Sequence, residues 1–209
     1  MSRTIAAAVT GGRREAILDH AEHLFAEHGY KGAVLADIAR AAGLGNAGLI
    51  HHFPGKAALY RAVLERLAGD LDERLAAALG EETDPGRRLG AFVQVQVRWA
   101  LDRPLAFRLI QRELLDNPDR VASAHVLPLA GFIATGKAII EDAQTAGLVA
   151  PGPGEVALCL VVGAVTYAGV VRPTFRQMLK TDLLASDEAW LSTIADAILA
   201  LLTARYRQA

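Results

Sequence analysis

Between positions 31 and 56 the chain gathers Lys31, Arg40, Asn46, His51, His52 and Lys56, a set suited to a polyanion that also presents base edges. An asparagine amide matches the N6/N7 edge of adenine, while lysine, arginine and protonated histidine donate to phosphate oxygens. Each residue also has a plainer use. Asn46 can cap a helix, His51 and His52 can be a solvated or partly packed pair, and Lys31 and Arg40 can be solubilising charges. Histidines also invite a metal centre, with His20 and His23 three apart and His51 and His52 adjacent. Those pairs alternate between helical faces and lack a cysteine or organised carboxylate partner, so no metal site is expected. No nucleophile elbow, phosphate-binding glycine loop or dinucleotide fingerprint occurs, and no catalytic residue, cofactor or enzymatic activity is expected.

These side chains need a frame, and the apolar spacing supplies one. A helix over residues 36–42 places Ile38, Ala39 and Ala42, with Leu35 ahead of them, on one face. Gly43 permits a tight exit and Leu44 fills the angle behind it. Residues 46–52 form a second short helix with Leu49 and Phe53 turned inward; Pro54 and Gly55 stop it and Lys56 opens the next. The spacing predicts a helix-turn-helix unit whose second helix enters the major groove. Ahead of it, a helix over residues 13–28 buries Ile17, Leu18, Ala21, Leu24 and Phe25 and closes at Gly29, with residues 1–11 as a loose arm. Behind it, Leu59, Tyr60, Val63, Leu67, Leu71 and Leu75 predict one long helix over residues 56–79.

The run GEETDPGRR at residues 80–88 is a boundary, with Pro85 and Gly86 at its turn. Beyond it the pattern predicts helices over residues 89–101 and 104–115, another starting at Pro118 and interrupted near Pro128, and one over 129–146. After the PGPG break at 151–154, further helices are expected at 155–171 and 187–207. No strand-like run competes. The expected class is all-α: an N-terminal three-helix helix-turn-helix domain, residues 1–55, joined through helix 4 to a larger helical regulatory and dimerisation domain, residues 56–209.

In 209 residues, 52% are hydrophobic, so much apolar surface must enter a core, a ligand cavity or a partner subunit. The segment 156–171 carries no charge but is short for a bilayer, and a buried helix is expected there. The net charge of −1 divides into +2 over residues 1–61 and −3 over 62–209, so phosphate binding must rely on local placement and dimerisation. The single cysteine, Cys159, sits among apolar neighbours as a packed thiol. With no secretion signal read at the N-terminus, the expected compartment is the reducing cytoplasm, with no membrane partner.

With LFAEHGY ending the first helix, DIARAAGLG, and LIHHFPGKAALY in place, the chain resembles the TetR family of bacterial transcriptional regulators. The likeness is strong over residues 13–64 and architectural beyond. It implies a dimer that binds palindromic double-stranded operator DNA, a helical domain that takes a small ligand, and helix 4 as the transmitting element; most members repress and are released by ligand. Phe25, Gly29, Tyr30, Ile38, Ala39, Ala42, Gly43 and Phe53 match positions that fold the domain, and Lys56 matches the family's phosphate contact, its amine free to approach the backbone. Ala33 and Val34 stand where the family has a hydroxyl pair, and Gly45 where a serine caps the recognition helix. Ala47, Gly48, Leu49 and Ile50 replace the usual Gly-Thr-Leu-Tyr, and Gly48 costs about 1 kcal/mol of helix propensity, so that helix is expected to be marginal until bound.

In the larger domain, Phe92, Gln96 and Trp99 recur on one face, Phe107 and Gln111 on the next helix, and Phe132 and Tyr167 opposite them. They are expected to line an apolar cavity for a moderately hydrophobic small organic effector, the alternative being a solid core with glutamines at its rim. Val156, Leu160, Trp190, Ile194, Ile198 and Leu201 are the expected homodimer interface, a four-helix arrangement, against burial within one chain. A second functional reading is a homodimeric, partner-dependent interaction protein whose direct DNA binding is weakened by the missing hydroxyls.

Overall fold

The computed structural model describes the backbone of residues 2–116 and 127–204 and the side chains of residues 12–116 and 127–203. Among the described residues the regular structure is entirely helical: α1 (Ser2–Gly32), α2 (Leu35–Ala41), α3 (Asn46–His52), α4 (Lys56–Leu79), α5 (Pro85–Asp102), α6 (Pro104–Asp116), α7 (Ala130–Thr145), α8 (Gly154–Leu179) and α9 (Asp187–Ala204), with a 3-10 turn at Asp182–Ala185. The helix expected from Pro118 and the final turn to residue 207 lie outside the described residues.

The chain forms two compact units. The first contains Met1–Ala68 and Leu105–Pro128, the second Gly69–Pro104 and Leu129–Ala209, so the continuous helix α4 gives its first half to one and its second half to the other. In the first unit, Ile17, Leu18, Ala21 and Phe25 of α1 are fully buried with Ile38, Leu49, Leu59, Tyr60 and Val63. Phe25 meets the Tyr60 ring edge-on at 4.7 Å, and Tyr30 meets it at 5.0 Å. Helix α1 begins at Ser2 rather than at Arg13, so the expected loose arm is helical, running through the alanines at 6–8 and continuing across Gly11 and Gly12 despite their low helix propensity. Gly29 does break it, at φ 70°, but one more turn follows, closed by the Ala33 N–H donating to the Gly29 carbonyl.

In the second unit α9 packs on α8 and α5, and α7 packs on α5 and α8. Asp84 caps α5, its carboxylate accepting from the Arg87 N–H at 2.8 Å ahead of Pro85 at the first turn. At the centre Phe92 is fully buried against Phe132, ring centroids 5.3 Å apart, and Gly136 leaves the space that the Phe92 ring occupies.

Helix α8 departs most from expectation. It continues past Val171 through Pro173 to Leu179, after which Lys180 takes a left-handed conformation; Arg172 lies within the helix and pairs with Asp187. At 26 residues it is long and apolar enough to cross a membrane, and only 33% of its most apolar window is buried. The fully buried helix is therefore corrected to one with an exposed apolar face, and Cys159, expected as a packed thiol, is exposed on it. The reason lies in composition: α8 is apolar all round, so burying one side leaves the other uncovered.

Candidate nucleic-acid interface

The turn between α2 and α3 is built as a helix exit. Leu44 N–H reaches the Ala39 carbonyl at 2.8 Å and Gly43 N–H the Arg40 carbonyl at 3.1 Å, which Gly43 permits by adopting φ 67°. Gly45 then serves as the N-cap of α3 in extended conformation, with no side-chain capping bond. Asn46 is the first helical residue and does not cap α3, so of its two sequence readings the cap is not the one adopted. Leu49 is buried beneath α3, while Asn46, Ala47, Ile50 and His51 are exposed on its other side and His52 is half-buried beside His51, ring centroids 5.7 Å apart. Phe53 is buried after the helix, with the Arg14 guanidinium 5.0 Å over its ring.

The basic residues divide. Lys31 is exposed at the end of α1. Arg40 is exposed and donates to Asp37 one turn earlier on α2 at 2.8 Å. Lys56, expected to hold its amine free, donates it to the Lys31 carbonyl at 3.1 Å and places it 5.0 Å over the Tyr30 ring. Desolvation pulls its pKa below the ordinary lysine value. The correction has a simple cause: the last turn of a helix leaves carbonyls without intrahelical partners and favours a cation, and Lys56 reaches one of them. Two of its three N–H donors remain for other acceptors.

The reader is held by a set of polar contacts that apolar periodicity did not reveal. Arg66 of α4 donates to Asp19 and Glu22 of α1, both at 2.7 Å, and to Glu15 at 3.4 Å. The signal was present as acids at positions 15, 19 and 22, one face of a helix opposite a lone arginine. Tyr60 donates its hydroxyl to Glu113 at 3.0 Å, and Arg112 of α6 donates to the Glu27 carbonyl near the end of α1 at 3.2 Å. His20 and His23 are both exposed on α1.

Residues 17–63 match the family model for bacterial regulatory proteins of the tetR family. The transcriptional activator FasR of Mycolicibacterium smegmatis is 31% identical over 157 residues, covering 75% of this chain and 70% of that protein. The chain belongs to the TetR family. It is also 30% identical over 141 residues to the transcriptional regulator RutR of Escherichia coli K12, a match covering 66% of this chain and 65%, just under two-thirds, of RutR's length. Among solved structures, the transcriptional regulator SCO4942 of Streptomyces coelicolor superposes with a TM-score of 0.70 at 25% identity, covering 90% of this chain and 97% of that one. As a member of that family the chain is all-α among the described residues, with its helix-turn-helix at the N-terminal end.

The remaining sequence-derived sites of this TetR-family member distribute as follows. Phe92, Gln96, Trp99, Phe132 and Tyr167 belong to the second unit, whereas Phe107 and Gln111, both half-buried, belong to the first. Tyr167 is 62% exposed and does not join the Phe92–Phe132 cluster, a correction that follows from the open face of α8. Gln96 is buried, and one amide N–H donates to the Phe92 carbonyl of its own helix at 3.1 Å, which leaves its second N–H and its oxygen for other partners. Trp99 donates its indole N–H to Asp70 at 2.8 Å. Asp70 also accepts from Arg74 and Arg103, both at 3.0 Å, and Arg74 reaches Asp102 at 2.7 Å. An open groove of about 230 Å³ lies beside this network, lined by Arg74, Ala78, Ala91, Gln94, Val95 and Arg98.

Of the residues expected at a dimer interface, Val156, Leu160 and Leu201 are exposed, Leu160 by 62% and Leu201 by 74%. Trp190 and Ile194 are half-buried, and Trp190 donates its indole N–H to the Ala168 carbonyl at 2.9 Å. Ile198 is buried within its own chain, which corrects its assignment to an intersubunit face.

Proposed function

We propose that this TetR-family protein is a cytoplasmic, ligand-responsive repressor that binds palindromic double-stranded operator DNA as a homodimer and is released by a small, moderately hydrophobic organic effector. The observation that carries the proposal is the α3 face: a short helix anchored from beneath by Leu49 and presenting Asn46, Ala47, Ile50 and His51 outward, within the segment that matches the family model. In this reading Asn46 pairs with adenine, Lys31, His51 and His52 donate to phosphate, Arg40 exchanges Asp37 for phosphate, and Lys56 adds its remaining donors while still closing α1. With a net charge of −1, affinity comes from these few contacts doubled by dimerisation. No catalytic residue, metal or cofactor is assigned.

The exposed apolar row of Val156, Leu160 and Tyr167 on α8, with Leu201 on α9, supports pairing with a second copy. The effector is assigned to the second unit, beside Phe92, Trp99 and Phe132. Helix α4 supports the coupling: its second half is bonded to α5 through Asp70, and its first half to α1 through Arg66. An effector acts only insofar as it binds one α4–α5 arrangement better than another.

The test is selection of genomic fragments by the purified protein at physiological salt, followed by footprinting. The expected result is a palindrome protected as two half-sites about one helical turn, or a multiple, apart. The occupied Lys56 amine and uncapped α3 favour the second reading, a partner-dependent protein with weakened DNA binding. A folded protein that enriches no sequence would establish that reading and overturn the first.

A further inference from the structure

We infer that α3 reads thymine 5-methyl groups, so that the operator half-site carries A·T pairs beneath Asn46, Ala47 and Ile50; this rests on the reading of α3 as the operator-reading helix. Of the four residues on the exposed face, Ala47 and Ile50 have no hydrogen-bonding group, and Ile50 is 45% exposed. In the major groove the thymine methyl is the apolar feature of the base edges, and alanine-sized and larger aliphatic groups pack against it. Over a G·C pair, Ile50 would instead cover the O6 and N7 acceptors or the N4 amine, taking polar atoms out of water with nothing to pair them. The aliphatic face thus discriminates by exclusion as well as by attraction.

The spacing agrees. Asn46 and Ile50 stand one turn apart on α3, about 6 Å along its axis, close to two base steps of roughly 3.4 Å. An adenine paired with the Asn46 amide and a thymine methyl under Ile50 therefore fall one or two steps apart when α3 lies along the groove. Lys31 at the end of α1 and Arg40 on α2, the latter paired with Asp37, are both exposed and suited in type to phosphate.

The experiment uses the full chain and a half-site obtained by selection from random duplex DNA. Each thymine is replaced in turn by deoxyuridine, which removes the methyl and nothing else. Loss of a buried methyl should weaken binding about four-fold per site, and about sixteen-fold when both symmetry-related thymines are replaced. Ile50→Ala, at an exposed position, should abolish that sensitivity while leaving the circular dichroism unchanged. Lys31→Ala should weaken all duplexes alike and keep the sensitivity. A palindrome bound with no uridine effect, or an effect undiminished in Ile50→Ala, overturns the methyl inference while leaving operator binding standing. Failure to enrich any palindrome overturns both.

Discussion

Asp70→Asn is the substitution that tests most directly how the second half of α4 is tied to α5. Both carboxylate oxygens of Asp70 act as acceptors: Oδ1 takes the Arg74 Nε–H, and Oδ2 takes the Trp99 indole N–H and an Arg103 N–H. An asparagine amide has one oxygen, so in either orientation its NH2 faces a donor. If it turns toward Arg74, that guanidinium still has Asp102; if it turns the other way, the Trp99 and Arg103 bonds are both lost. A hydrogen bond to a charged group contributes about 1.5–3 kcal/mol. The variant loses one such bond outright and the negative charge for the others, and water reaching the quarter-exposed carboxylate softens the loss. The expected destabilisation is about 2–3 kcal/mol, a shift of the urea midpoint of roughly 1 M. Trp99 fluorescence in a Trp190→Phe background would follow unfolding of this unit. Asp102→Asn, half-exposed and bonded among the described residues to Arg74, should cost under about 1 kcal/mol. Burial raises the Asp70 pKa, but the bonds from Arg74 and Trp99 and the charges of Arg74 and Arg103 outweigh it and hold it below the ordinary value. Its stabilisation is therefore complete above the unfolded-state pKa near 4 and is lost as pH falls through the lower folded value. The difference from wild type should be flat from about pH 5 to 8 and shrink only in stronger acid. A loss below about 0.5 kcal/mol at neutral pH, or one equalled by Asp102→Asn, would refute the reasoning.

Two further outcomes follow from packing and exposure. Gly136→Ala would set a Cβ 2.3 Å from the Phe92 ring, which has no solvent side to yield into; destabilisation of about 1–3 kcal/mol is expected despite the roughly 1 kcal/mol gain in helix propensity, with Phe92→Leu restoring much of it in the double variant. If the proposed homodimer forms through the open face of α8, Leu160→Glu should leave helicity unchanged and yield a monomer by light scattering at micromolar concentration, where the wild type is expected to be a dimer; a variant that stays dimeric would place the interface elsewhere.

The limits of α3 and the break at Gly43 were legible because local rules decide them: a stop at Pro54–Gly55, a glycine needed at positive φ, and a single buried leucine. Apolar spacing likewise identified Ile17, Leu18, Phe25, Ile38 and Leu49 as core. What spacing could not show was where long polar side chains go once the helices meet. Lys56 closes the end of α1 and Trp99 finds Asp70, each meeting a partner that the local pattern does not specify, while Gln96 bonds the carbonyl one turn back on its own helix. Tyr167 and Ile198 were misplaced for a related reason. On helices apolar all round, the pattern says that surface must be covered but not which side the same chain covers.

Helix α3 has seven residues, an N-cap without a side-chain bond and a glycine at its third position. So short a helix buries Leu49 alone, and its amides are expected to exchange with solvent by local opening, without unfolding of the rest of the first unit. Whatever duplex it enters must quench that local opening. On the proposed reading, association with an operator would therefore carry a larger heat-capacity decrease and a larger entropic penalty than rigid docking of the same surface, and occupancy would be steeply sensitive to temperature.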